Sequence, residues 1–260
     1  MKDYQTISVE WRKPVLKVTF NRPDKANAMN KQMNEELDDI ITEVRKDTDY
    51  KFIVFTGNGK TFSAGADMNE VLQGIESNSF SSSFIREDQI TRHEFLRKFD
   101  ALDQITIAAI NGPMYGAGLA LAMVCDFRIM ADNATACLPE VERGLFFSGG
   151  GTPRLVNLIG PAKAKEFIML CEAIDASEAL KIGLVNKVVP LQELTAATEE
   201  LIGKLSRSPF SPIRLTKKIV NAATPRFENL LFYEPELQEQ MMLYGEAREE
   251  IDKFVSSKRK

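Results

Sequence analysis

Histidine is almost absent from this sequence: His93 is the only one in 260 residues. That excludes a metal site built from several histidines. Any Ser-His pair would depend on one residue in a charged helical stretch, so His93 is expected at the surface or on a lid. Cysteine is scarce as well. Cys125, Cys137 and Cys171 are odd in number, include no CxxC pair and sit among apolar or small residues, which predicts reduced core thiols and no metal centre. No apolar run reaches the ~18 uninterrupted residues of a membrane span. The start, Met1-Lys2-Asp3-Tyr4, does not lead into the apolar stretch of a signal peptide, so a cytoplasmic protein is expected. Neither sign of charge is in excess. Against 37 Asp+Glu stand 33 Lys+Arg, a net charge of -4, so no nucleic-acid or membrane partner is expected. Phosphate-binding glycine patterns are missing too. Gly57-Asn58-Gly59-Lys60-Thr61 ends like a P-loop, but position 54, where the pattern needs glycine, is Val54, and no GxGxxG follows any strand. Gly149-Gly150-Gly151 reads instead as a tight turn that lets backbone approach a ligand.

What is present is enough apolar residue, 44%, for one large α/β core with a smaller helical region. Ile7 to Trp11 and Val15 to Phe20 alternate as strands of a hairpin. Met33, Leu37, Ile40, Ile41 and Val44 then recur at helical spacing, and Phe52 to Thr56 is a buried strand running into Gly57. A second unit follows. After a Ser-rich stretch at 77–83, expected to be mobile, comes a helix from Ile90 to Leu102, the strand Ile105–Ile110, a small-residue helix within Gly116–Cys125 and the strand Phe127–Met130. Strand, helix and strand in alternation predict parallel βαβ units. Beyond Gly160 the pattern is helical, with helices at 162–170 and 176–181, an extended piece at 185–190 and three more helices to the end, broken near Ser208-Pro209 and Thr224-Pro225. We read residues 1–200 as the core and 201–260 as a helical region that caps the site or makes subunit contacts. Its apolar residues, among them Leu230, Leu231, Phe232 and Leu237, exceed what a surface appendage needs. Met241-Met242 is read as packing, and Lys258-Arg259-Lys260 as a solvated tail.

Three segments exceed what packing requires: Thr61 to Asp67, Asn111 to Asp126, and Leu138 to Gly144. Each sets small residues after a strand or at a helix start, where backbone N–H groups are unpaired and can face a ligand oxygen. Together with Asn21-Arg22-Pro23, Ala26-Asn27-Ala28 and Gly150-Gly151-Thr152, their order and spacing resemble the crotonase family, also called the enoyl-CoA hydratase/isomerase family. The resemblance runs from about residue 7 to residue 190 and more loosely to Phe254. It implies a core of repeated ββα units with a helical C-terminal region, a homotrimer or homohexamer, and an acyl-coenzyme A thioester as substrate, with no cofactor. It further implies that the amides of Ala66 and Ala117 hold the thioester oxygen. Lys25, Ala26 and Ala28 would lie on the adenine side, and Ala64, Gly65, Asp67, Met68, Gly116, Ala120 and Gly149 would line the substrate site.

The hydratases of that family use two glutamates that share one water. The first falls on Ala120 here, which can neither hold nor deprotonate water, and the second is Glu140, beside Leu138, Val141 and Leu145. Such surroundings would raise its pKa and suit it to proton abstraction next to a carbonyl. The pattern resembles the single-glutamate isomerases, so conversion of 3-enoyl-CoA to 2-enoyl-CoA is expected. Hydration of 2-enoyl-CoA is the alternative, and a non-catalytic acyl-CoA-binding protein is the alternative from another class. Glu142 is the obvious substitute for the second carboxylate in that alternative, but two residues from Glu140 it is read as a solvated surface residue. Phe146-Phe147-Ser148 departs from the Pro-Gly usual before the glycines.

Overall fold

Alternating burial and continuous burial divide the strands into two kinds. In the computed structural model, which describes residues 2–77, 81–225, 228–244 and 246–258, β1 (Ile7–Arg12) and β2 (Val15–Phe20) form an antiparallel hairpin. Leu16, Val18 and Phe20 of β2 point into the core. By contrast, β3 (Phe52–Gly57) begins with four buried residues and β4 (Ile105–Ile110) is buried throughout. Strands covered on both faces need apolar residues at every position, and parallel sheets are built from them. With β6 (Phe127–Ala131) and β9 (Lys187–Val189) they complete a six-stranded sheet in the order β1-β2-β3-β4-β6-β9, parallel from β2 onward.

Helices cover both faces. Against one lie α1 (Lys31–Val44), which buries Met33, Leu37, Ile40, Ile41 and Val44, then α3 (Ser82–Asp100) and α4 (Ala117–Val124). Asn30 starts α1 by accepting the Met33 amide at 3.0 Å. On the other face Val54, Ile107, Ala109 and Ile129 pack on Leu194 and Ala197 of α8 (Leu194–Ser206). A second, three-stranded sheet sets β7 (Thr135–Cys137) between β5 (Met114–Tyr115) and β8 (Ile174–Asp175). The remaining helices are α2 (Met68–Glu76), α5 (Gly151–Ile159), α6 (Pro161–Leu170), α7 (Ala176–Lys181), α9 (Phe210–Ala223), α10 (Glu228–Tyr244) and α11 (Ala247–Lys258).

Several sequence expectations change. Helix α3 starts at Ser82 rather than near Ile90, because the Ser81 hydroxyl accepts the Phe84 amide and caps it. Its buried face includes polar Gln89 and His93, which hides the apolar period. The predicted mobile stretch therefore lies partly in a helix, and its residues 78–80 lie outside the described residues. After β9, the described residues form four α-helices rather than three, since α10 and α11 are separate. All three cysteines are free and buried. Val141, expected to enclose Glu140, is exposed, while Leu138 is buried. Phe232, at 76% exposure, and Leu237 project from α10, whereas the side chains of Leu230 and Leu231, and residues 259 and 260, lie outside the described ones. No helix among the described residues is long and apolar enough to cross a membrane.

The link from β2 to α1 hangs on one side chain. Asn27 is fully buried at a φ of 53°; its Oδ1 accepts the Arg22 amide at 2.9 Å and its Nδ2 donates to the carbonyls of Asn58 (2.9 Å) and Thr61 (2.7 Å). Alanine would leave these groups unpaired and tolerates a left-handed backbone less well than asparagine. Asn27→Ala is expected to destabilise the fold by about 3 kcal/mol, read as a lower denaturant midpoint at unchanged slope.

Candidate active site

Four short segments meet at the carboxyl ends of the parallel strands, the usual place for a ligand in such a sheet. The loop after β3 (58–67) lies beside the loop after β2, with Ala64 donating to the Ala26 carbonyl at 2.9 Å, Met29 to Gly65 at 2.7 Å and Asp67 to Met29 at 3.0 Å. On its other side Tyr115 donates to Ser63 at 2.9 Å. Strand β5 in turn runs parallel to β7, pairing Tyr115 with Cys137, and Gly116 donates to the Cys137 carbonyl at 3.1 Å. This ladder carries Gly65-Ala66, Gly116-Ala117 and Pro139-Glu140 to one place. Strands of two and three residues leave no periodic signal, so β5 and β7 were not legible in the sequence.

Neighbouring amides in the ladder are consumed. Gly65 donates to the Ser63 hydroxyl at 3.2 Å, and Asp67 and Gly116 donate to carbonyls. The amides of Ala66 and Ala117 donate to no group among the described residues, and both residues are half-buried. Ala117 opens α4, where the first N–H groups have no partner within the helix. The two segments touch: a Cβ on Gly65 would stand 2.9 Å from the Tyr115 carbonyl oxygen and 3.4 Å from the Ala117 nitrogen. Two free donors side by side on partly buried backbone can bind an oxygen that gains negative charge.

Glu140 completes the site. A Cβ on Gly116, whose φ is 48°, would lie 2.6 Å from Glu140 Oε1 and 3.9 Å from the Gly65 Cα, so glycine is what admits the carboxylate here. Glu140 Oε2 is buried with no hydrogen-bond partner. Desolvation pushes the carboxyl up to about 7, against the pull of its own backbone amide and the Arg143 guanidinium, which lies 4.1 Å from the Phe254 ring. Ala120, one turn beyond Ala117 on α4, offers only a methyl group.

The other expected residues fall into separate roles. Arg22 and Asp67 form an ion pair of 2.9 Å that clasps the two loops, and Asp67 also accepts the Asn69 amide at 3.2 Å. Ala26, at a φ of 49°, and buried Ala28 shape the first loop, whose exposed Lys25 has no carboxylate partner among the described residues. Met68 joins Val71, Leu72, Leu145, Ile251 and Val255 in an apolar cluster, and α11 packs on α2 and on the turn Val141–Arg143. Glu142 is exposed. Gly149 is buried, and its amide donates to Gln89 Oε1 at 3.2 Å. His93, expected at the surface, is buried with its Nε2 2.8 Å from Glu234 Oε2; a distant helix supplies the partner, which local sequence could not show. No cluster of three or more His, Cys, Asp or Glu that could hold a metal occurs among the described residues.

Because its folded pKa is raised above the ordinary 4.5, Glu140 stabilises the fold in its neutral form below that value, and the contribution is lost as pH rises through about 7. Glu140→Gln stays neutral throughout. Its thermal midpoint is expected to exceed that of the wild type near pH 8, with the advantage gone near pH 5; an advantage equal at both would show that burial of the charge is not the cause.

The family profile described as Enoyl-CoA hydratase/isomerase matches residues 10–260. The chain is 37% identical over 219 residues to a crotonyl-CoA hydratase of Syntrophomonas wolfei, an alignment covering 84% of this chain and 82% of the other. Its fold is similar to that of an enoyl-CoA hydratase from Mycobacterium avium subsp. paratuberculosis, with a TM-score of 0.86 and 26% identity across 98% and 97% of the two chains. It is also similar to that of a monofunctional enoyl-CoA isomerase from M. smegmatis, with a TM-score of 0.69 and 29% identity across 84% of this chain and 93% of that one. The chain belongs to the enoyl-CoA hydratase/isomerase family of acyl-CoA enzymes.

Proposed function

We propose that this enzyme shifts the double bond of a 3-enoyl-CoA to the 2-position. The observation that carries this reading is the Glu140 carboxylate, whose Oε2 is buried without a hydrogen-bond partner, near the Ala66 and Ala117 amides, with alanine at 120. The thioester oxygen accepts both N–H groups. Glu140 takes a proton from C2, the electron pair moves onto that oxygen as an enolate, and the proton returns at C4 as the double bond moves between C2 and C3. Nothing is oxidised or reduced, so the step balances without a cofactor. Burial serves it twice, by bringing the base near neutral pH and by strengthening the two hydrogen bonds as charge develops.

Hydration of 2-enoyl-CoA is the second reading, favoured by the name of the Syntrophomonas wolfei relative. It needs a second group to hold the water, and Ala120 cannot be that group. Glu140→Gln is expected to lower 3-hexenoyl-CoA isomerisation by about two to four orders of magnitude while octanoyl-CoA still binds. Ala120→Glu is expected to bring in crotonyl-CoA hydration, because two carboxylates could then hold one water. Wild-type turnover is expected to rise with pH through about 7, as the carboxylate form accumulates. Unchanged isomerisation in Glu140→Gln would mean that another residue is the base.

We also propose a homotrimer or homohexamer. Leu215, Ile219 and Val220 on α9 and Phe232, Tyr233 and Tyr244 on α10 are exposed in the single chain, a large apolar area for a free surface. Light scattering is expected to give three or six times the chain mass of 29.2 kDa. A stable monomer at micromolar concentration would contradict this assembly.

A further inference from the structure

Between α3 and α10 lies a polar seam that packing alone does not call for. Gln89 and His93 on α3 and Glu234 and Gln238 on α10 are each more than nine-tenths buried, Glu234 at 1% exposure. Glu234 Oε2 lies 2.8 Å from His93 Nε2 and accepts the Gly150 amide, also at 2.8 Å, while Gln89 Oε1 accepts the Gly149 amide at 3.2 Å. Burying a carboxylate is costly, and apolar side chains would dock two helices at least as well. Surface ion pairs from Arg86 to Glu236 and Glu239 already tie the same helices. What the seam adds is a grip on two consecutive amides of one turn.

That turn is placed to matter. Gly149 and Gly150 have φ values of 65° and 74°, and Gly151 begins α5, where a Cβ would meet the Phe147 ring at 2.4 Å. The turn ends the segment that starts at Glu140, and α5 packs on α4, which bears Ala117 and Ala120. Base and oxyanion donors are thus joined through a turn whose conformation is held from the C-terminal region.

We propose that Glu234 is a positioning residue for catalysis: through the Gly150 amide, and supported by His93, it fixes the Gly149–Gly151 turn and thereby the placement of Glu140 against the Ala117 amide. The role assigned to Glu140 rests on the isomerase reading above.

The test combines 3-hexenoyl-CoA kinetics with amide hydrogen exchange over residues 149–151. Glu234→Ala is expected to lower kcat about tenfold or more with KM within about threefold, and to speed exchange in the turn. Glutamine with its Oε1 in the place of Glu234 Oε2 can still accept both the Gly150 amide and an Nε2–H of His93, so Glu234→Gln is expected to restore kcat to within about threefold. Arg86→Ala, which breaks only the surface ties, is expected to change neither readout. Full kcat in folded Glu234→Ala, an equal loss in Arg86→Ala, or a glutamine variant as impaired as alanine would each overturn the proposal. Should Glu234→Ala not fold, Glu234→Met fills the buried space while leaving the Gly150 amide without an acceptor, and a wild-type kcat there would overturn it equally. Wild-type protein inactive on 3-hexenoyl-CoA would refute the isomerase reading by itself, and the same ratios would then be read on crotonyl-CoA hydration.

Discussion

Two backbone N–H groups left without a protein acceptor, next to a carboxylate whose Oε2 is left without a donor, are the constraint around which this chain is arranged. An unpaired buried polar group costs roughly 1–3 kcal/mol, so folding selects against such groups. Beside Ala66 and Ala117 the amides of Gly65, Asp67 and Gly116 are satisfied, by the Ser63 hydroxyl and by the carbonyls of Met29 and Cys137. Glu140 reaches the same place, with Oε1 beside Gly116 and Oε2 unpartnered. A substrate whose oxygen gains charge and whose carbon gives up a proton would satisfy all three at once. For the isomerase proposed above, this would be differential binding of a transition state, built in before the substrate arrives.

The fold meets that demand with close approaches only glycine allows. A Cβ on Gly57 would lie 2.2 Å from the Thr61 carbonyl oxygen, and one on Gly112 would lie 2.0 Å from that of Lys60. The segment that ends like a P-loop therefore serves as a crossing point between loops, with Asn111 accepting the Gly57 amide at 2.9 Å. The C-terminal region reaches the site as well. A Cβ on Gly144 would meet the Ala247 nitrogen at 2.6 Å, so α11 sits directly on the turn that follows Glu140.

Much of this could be read from the residues alone. The buried strands at Phe52 and Ile105 and the helix at Met33 follow from apolar period, and the ordered small-residue segments carry the family resemblance. What escaped depends on partners distant in sequence. Nothing near His93 announces Glu234, 141 positions away, and nothing near Val141 shows that its side chain turns outward. The strands that align Gly116 with Glu140 are too short for any pattern to register.

Whether one carboxylate suffices decides the chemistry, and the oxygen of water reports on it directly. Wild-type enzyme should be given 3-hexenoyl-CoA in water enriched in heavy oxygen and the products resolved by mass. The expected result is 2-hexenoyl-CoA carrying no label and accumulating well ahead of any 3-hydroxyhexanoyl-CoA. Unchanged 3-hexenoyl-CoA, together with rapid conversion of 2-hexenoyl-CoA to labelled 3-hydroxyhexanoyl-CoA when that ester is supplied instead, would contradict a single-base isomerase.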